Sequence, residues 1–191
     1  MYITADIVAG LETRFGTPVE ISLEYEMSER ELNMVRHSQK HRRAHDVTLF
    51  IIEGERIVVI KKPQYPPGAY RAPSGGINPG EQFEAGALRE AHEETGLSIR
   101  LDRYVVRSQV RFNHKSDFID WTSHVFAATI QAGELNPIDT EEIVEARFAT
   151  VDELLGSVRQ AMLGSGSTGL KYRSDLNDFV IRRLQALEFL R

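Results

Sequence analysis

Apolar positions cluster most densely at residues 47–52 and 56–60, two β-branched runs parted by Glu53-Gly54-Glu55. That pattern predicts a β-hairpin. Upstream, a helix is expected over about residues 4–15, closed near Gly16 and broken by Thr17-Pro18. Residues 19–23 alternate as a short strand does. Ser28 and Glu31 have capping-box spacing, so a second helix starts there and runs into the basic stretch 36–43. Residues 61–80 read as loop, punctuated by proline and by Gly75-Gly76, and residues 82–95 as a helix that Gly96 stops. Two long strands follow near 97–112 and 118–131, then turns at 133–140, a strand at 143–148 and a short helix from Val151.

The segment Gly164-Ser165-Gly166-Ser167-Thr168-Gly169 has the composition of a flexible linker. Beyond it Leu176, Phe179, Val180, Leu184, Leu187 and Leu190 form one apolar stripe on a last helix. No internal repeat is present. Strands, a central helix, more strands and terminal helices predict an α/β fold, a mixed sheet covered on both faces. The divisions are an extension at 1–45, a central domain at 46–160 and a C-terminal helix at 164–191. The leucine stripe can dock on its own domain or on a second copy, and a homodimer is the expectation.

Composition narrows the function. The chain has 191 residues, 41% hydrophobic and 27% charged, enough to build a core and dissolve its surface. With 23 Lys+Arg against 28 Asp+Glu the net charge is −5, which argues against a general duplex-DNA binder and against nucleic acid as a partner. Zero cysteines exclude disulfides, thiolate metal sites and a cysteine nucleophile. No run approaches a membrane span and residues 1–6 open no secretory signal, so the expected setting is cytoplasmic.

Glu90, Glu93 and Glu94 change the picture most. At about 100° per residue, Glu93 lies about 60° to one side of Glu90 and Glu94 about 40° to the other. Like charges at this spacing cost a helix about 0.2–0.5 kcal/mol per pair. They also sit in its last turns, where the dipole favours cations. A divalent cation reverses that sign. Oxygen donors point to a hard ion such as Mg²⁺ that shares its shell with phosphates; zinc is a poor fit, because none of the six histidines pairs at zinc-site spacing near these acids. The preceding loop, Pro73 to Glu81, carries Gly75 and Gly76, which let backbone approach a ligand, and it feeds a helix N-terminus suited to anions. A solvated acidic face is the competing reading.

These residues resemble the Nudix hydrolase signature: Gly75, five residues, Glu81, seven residues, Arg89-Glu90, Ala91, one residue, Glu93-Glu94, one residue, Gly96-Leu97. Ala91 is smaller than the usual aliphatic, and Ser74 stands where a glycine is frequent. The resemblance implies an α/β/α sandwich and Mg²⁺- or Mn²⁺-dependent hydrolysis of a nucleoside diphosphate linked to another group. It implies that Glu90, Glu93 and Glu94 bind metal, with a carbonyl of Ser74 or Gly75 as a further ligand. Arg89 would orient the glutamates, and Glu81 would cap the loop–helix junction. A general base comes from the box itself or a later loop, and among Glu141, Glu142 and Glu145 the choice is Glu142, with ordinary surface acids the alternative.

Lys61, Lys62 and Arg71 flank the glycine loop; Lys62 and Arg71, with Gly75 and Gly76, are the candidates for phosphate oxygens, against simple solvated cations. The basic stretch 36–43 could touch a polyphosphate or an RNA 5′ end, although a helix C-terminus welcomes cations anyway. Tyr104, Phe112 and Trp121 could stack on a base, but their strand spacing favours the core. Lys171 and Arg173 could form a lid, against a plain link to the last helix. The resemblance implies a small nucleotide derivative as substrate: a nucleotide sugar, an ADP-ribose-like compound or a nucleoside triphosphate. Arg111-Phe112-Asn113-His114 occupies the region where relatives acting on ADP-ribose or diadenosine polyphosphates carry a proline or tyrosine, and the segment typical of NADH-cleaving relatives is missing after Leu97. The alternatives are a non-catalytic nucleotide sensor and an RNA 5′-end pyrophosphohydrolase. Isoprenoid diphosphate isomerisation on the same fold needs a cysteine and is excluded.

Overall fold

Strand β2 (His45–Glu53) is buried along almost its whole length, as its unbroken apolar run requires of a strand covered on both faces. It turns into β3 (Arg56–Lys61) by the expected hairpin. The computed structural model describes residues 3–39 and 43–190. Around the hairpin lie α1 (Ala5–Phe15), β1 (Val19–Glu26) and α2 (Glu29–Ser38) before it. After it come β4 (Ser74–Gly75), α3 (Phe83–Thr95), β5 (Ser98–His114), β6 (Asp117–Ala132) and β7 (Glu145–Thr150). The chain closes with α4 (Val151–Leu155), α5 (Ser157–Gly164) and α6 (Thr168–Ala186).

The strands form one mixed sheet in the order β1-β5-β6-β2-β3-β7, with β4 paired to β2. β1 joins β5 in parallel and β2 joins β6 in parallel, while β5–β6, β2–β3 and β3–β7 are antiparallel. Alternation divides the side chains between two cores. Val47, Leu49, Ile51, Val58 and Phe126 pack under α1 and α3 with Phe15, Ala87 and Ala91. Phe50, Ile57, Val59, Val125 and Ala127 face the other way, against α2 and the C-terminal helices. This is the expected α/β/α sandwich. Tyr104, Phe112 and Trp121 are buried in it, which is the core reading of these aromatics.

Several local expectations change. β4 interrupts the loop expected over 61–80, and α5 follows α4 directly. The segment 164–169 is an ordered turn: Ser167 caps α6, and Ser165 Oγ donates to the Met162 carbonyl at 2.5 Å. Leu176, Val180 and Leu184 are buried inside the chain's own core, so most of the stripe is spent there, while Phe179 lies off it at 37% exposure. Arg173 is no lid; it donates to Asp46 Oδ2 at 2.6 Å and Thr48 Oγ1 at 3.0 Å, fixing α6 to β2. Among the described residues no helix is long and apolar enough to cross a membrane.

Glu31 binds the two ends of the chain together. Its Oε2 accepts from the Ser28 N–H and hydroxyl, completing the capping box of α2. Its Oε1 accepts from Thr168 N at 2.7 Å and Ser167 Oγ at 3.1 Å, at the start of α6. Partial burial pushes this carboxyl up, but the hydrogen bonds prevail and hold it below its ordinary value. One carboxylate therefore serves two helix N-termini. Glu31→Ala is expected to cost about 1–2 kcal/mol, read as a lower urea midpoint with an unchanged slope.

Candidate active site

Helix α3 carries the acids, and its two ends are held differently. Gln82 provides no side-chain cap at its N-terminus. At the other end Gly96 adopts φ 78°, which a residue with a side chain rarely tolerates, and its N–H bonds the His92 carbonyl at 2.8 Å. The last carbonyls are then taken by the following loop: Asn136 N donates to Thr95 O, and Ile138 N and Asp139 N donate to Glu93 O, all at 2.9–3.0 Å. Backbone donors thus offset the negative end of the helix dipole.

Arg89 organises the acidic face. It forms a fork with Glu81, Nε to Oε1 at 2.9 Å and Nη2 to Oε2 at 3.0 Å. Its Nη1 reaches Glu90 at 2.9 Å and Glu93 at 2.8 Å, and Nη2 also donates to the Gly76 carbonyl at 2.9 Å. Glu81 accepts from Asn78 N as well, so it ties the loop to the helix; the Arg89 bond holds its carboxyl below the usual range. The repulsion that the sequence assigned to a cation is countered here by a guanidinium and backbone N–H groups.

Glu90 and Glu94 reach back to β4. Gly76 N donates to Glu90 Oε1 at 3.0 Å, and Ser74 N to Glu94 Oε2 at 2.7 Å. A β-carbon on Gly75 would fall on the Glu90 carboxylate, and one on Gly76 on the Arg43 guanidinium. These glycines thus make room for protein side chains, whereas the sequence suggested room for a ligand. Arg71 and Glu94 are a buried pair, 3.1 Å apart and only 5% and 6% exposed. Arg71 further donates to Ser74 Oγ at 2.7 Å, the Ala72 carbonyl at 2.9 Å and Tyr65 Oη at 3.0 Å. Burial works against the Arg71 charge, but Glu94 more than restores it. Burial also raises the Glu90 and Glu94 carboxyls above the ordinary value, opposed by Arg89 and Gly76 N at Glu90, and by Arg71, Lys62 and Ser74 N at Glu94.

Lys62 donates to Glu142 Oε2 at 2.7 Å, bringing the loop after 136–140 to the mouth of this site. In the basic stretch, Arg36 pairs with Asp117 at 2.7 Å, while Arg43 lies against Gly76 and over Trp121 at 5.9 Å. Lys40, His41 and Arg42 lie outside the described residues. The sequence marked Arg43 only as part of a charge run; its place beside the glycine loop follows from β2 beginning two residues later and pairing with β4.

The sequence profile of the NUDIX domain family matches residues 40–165. The chain belongs to the Nudix family. Its box residues are those just described, on a Nudix-like sandwich. Among curated relatives, the NAD-capped RNA hydrolase NudC of Stutzerimonas stutzeri (strain A1501) is 29% identical over 106 residues, covering 56% of this chain and 36% of the relative. The NudC of Pseudomonas syringae pv. syringae (strain B728a) is 31% identical over 106 residues, with coverage of 56% and 36%. The chain therefore spans little more than a third of the length of these Nudix relatives. A solved UDP-X diphosphatase superposes with a TM-score of 0.50 at 18% identity, covering 76% of this chain and 71% of that one, a likeness of fold.

Among the described residues no three acidic or histidine side chains converge into a ready-made metal cage. The donor set nevertheless suits a hard cation. It is all oxygen, and among the described residues Glu90 accepts hydrogen bonds only at Oε1 and Glu93 only at Oε2, which leaves the second oxygen of each for a cation.

Proposed function

We propose that the chain hydrolyses the pyrophosphate linkage of a nucleoside diphosphate joined to a second group, using Mg²⁺ or Mn²⁺. The observation that carries this reading is the Arg89 hub, which ties Glu81 of the loop to Glu90 and Glu93 of α3, while Arg71 holds Glu94 beside them. Glu90, Glu93 and Glu94, with a carbonyl of Ser74 or Gly75, would hold the cation. A bound cation supplies positive charge to the phosphate oxygens and lowers the pKa of its water.

The protein's own groups do the rest. Arg89 and Arg71 fix the acids in advance, so little reorganisation remains when the reaction begins. Lys62 binds a phosphate oxygen, and in doing so exchanges Glu142 for the substrate. Glu142, released at the site's mouth, takes the proton of the attacking water. Gly75 and Gly76 leave room for the Glu90 carboxylate and the Arg43 guanidinium beside the loop.

A second reading is favoured by the curated relatives, which are NAD-capped RNA hydrolases: the same chemistry on an RNA 5′ end. The homodimer expected from the leucine stripe loses its support, since α6 spends that stripe inside its own chain.

One panel tests both readings: ADP-ribose, sugar nucleotides, dinucleoside polyphosphates, triphosphates, and NAD-capped and triphosphorylated RNA oligonucleotides, each with Mg²⁺ and with EDTA. The expected result is nucleoside monophosphate release from at least one substrate, abolished by EDTA and restored by excess Mg²⁺. Saturable binding with no turnover anywhere in the panel would instead establish the sensor.

A further inference from the structure

A cleft of about 780 Å³ opens beside the Arg71–Glu94 pair. Its walls include Arg30 and Met34 of α2, Gln64 and Tyr65 after β3, and Ser167 and Leu170 at the start of α6. Four of these six lie outside the matched family domain, so the two ends of the chain complete the cleft. Its volume is that of a small-molecule site.

The charges in the cleft decide what fits. Lys62, which exchanges Glu142 for a phosphate oxygen, marks the diphosphate end of the cleft, while Arg71 is held by Glu94 and Arg173 by Asp46. Glu31 is saturated by Ser28, Ser167 and Thr168. Among the described residues Arg30 alone of these cations has no ion-pair or hydrogen-bond partner. Beside it Met34 is 55% exposed, an apolar side chain that the chain itself leaves uncovered. One open cation, an apolar wall and an aromatic ring suit a base and sugar better than a run of phosphates. Tyr65 links this wall to the acids, because its hydroxyl accepts from Arg71 Nε at 3.0 Å while Arg71 Nη2 holds Glu94 at 3.1 Å.

We propose that this cleft takes the nucleoside half of the substrate, the base against Tyr65 and Met34 with Arg30 at its edge, so that the chain's two extensions choose which nucleotide is cleaved. The proposal rests on the hydrolase reading for the fate of the diphosphate, but its binding part can be measured without turnover. Tyr65 both contacts the base and positions Arg71.

The test compares binding of the α,β-methylene diphosphates of adenosine, guanosine and uridine with binding of inorganic pyrophosphate, by calorimetry on the intact chain with Mg²⁺. At least one nucleoside analogue should bind more tightly than pyrophosphate. Tyr65→Ala should weaken that analogue about tenfold more than it weakens pyrophosphate, the scale of one lost stacking contact. Met34→Glu, at an exposed position where folding is not at stake, should act in the same direction. Tyr65→Phe should keep analogue affinity yet lower kcat on any cleaved substrate, since it keeps the ring and loses the Arg71 bond. Equal weakening of analogue and pyrophosphate by Tyr65→Ala, unchanged analogue affinity in both Tyr65→Ala and Met34→Glu, or no analogue tighter than pyrophosphate would overturn the proposal. Selective analogue binding in a protein that cleaves nothing would overturn the hydrolase reading and leave the cleft assignment standing. Turnover with KM indifferent to Tyr65 and Met34 would do the reverse.

Discussion

Glu94→Gln is expected to lower kcat by about a thousandfold, the scale of losing a group that stabilises developing charge. The same substitution should also destabilise the fold. Both Glu94 oxygens accept hydrogen bonds, one from Arg71 Nη2 and one from Ser74 N. An amide supplies one acceptor and one donor, so a donor must face a donor in a site only 5% exposed. Arg71 then becomes a buried charge without its counter-ion, a loss of about 3–5 kcal/mol. The double variant Glu94→Gln, Arg71→Met removes the stranded charge and should regain much of that stability while recovering no activity. Urea melts and kcat at saturating substrate and Mg²⁺ separate the two effects. Activity of the single variant within tenfold of the parent would remove Glu94 from the chemistry.

The second large effect is on stability against acid. His45 and His124 lie in the core beside Tyr104, whose hydroxyl meets His124 Nδ1 at 2.5 Å. Burial depresses both rings, His45 from 6.5 to about 4 and His124 to about 3. Asp46 pulls the other way, Arg43 adds to the depression of His45, and His45 and Arg107 add to that of His124. The unfolded chain therefore binds these protons first. The stabilisation is complete above pH 6.5 and is lost as pH falls through the window from 6.5 toward 3. Carried through its whole window, the displacement corresponds to about 3 kcal/mol at His45 and about 5 kcal/mol at His124. Glu90 and Glu94, whose carboxyls burial raises, act with the opposite sign. The histidine contribution is isolated by comparison with His124→Gln, which keeps an acceptor for Tyr104 but cannot titrate. Urea midpoints between pH 8 and pH 4 should fall more steeply for the parent; parallel curves would refute the assignment.

The acid-bearing helix could be read from the chain because everything that defines it is local. Apolar spacing, Gly96 and the acids at i, i+3 and i+4 all fall between Phe83 and Gly96, and the structure places the helix there. The same holds for the capping box at Ser28 and for the β2–β3 hairpin. What escaped depends on residues distant along the chain. No local pattern joins Arg71 to Glu94, or Lys62 to Glu142; these pairs exist because β3, β4 and the loop after Asp139 converge in the folded sheet. Ser165 and Ser167 read as linker from composition, yet Ser167 Oγ caps α6 by accepting from Leu170 N and donates to the distant Glu31, while Ser165 Oγ accepts from Ser167 N. The sequence assigns the repulsion among the acids to a metal, whereas in the structure the Arg89 guanidinium touches Glu81, Glu90 and Glu93 together and offsets part of it.

The parallel pairing of β1 with β5 bears on how the protein emerges from the ribosome. Tyr25 and Glu26 are made early, yet their sheet partners are Phe112 and Asn113, and β2 likewise waits for the strand that contains Phe126. Synthesis at about 5–20 residues per second leaves these apolar strand edges without partners for several seconds. Glu31 waits longer still for Thr168. These strands stay unpaired until β5, β6 and the helix that starts at Thr168 have emerged.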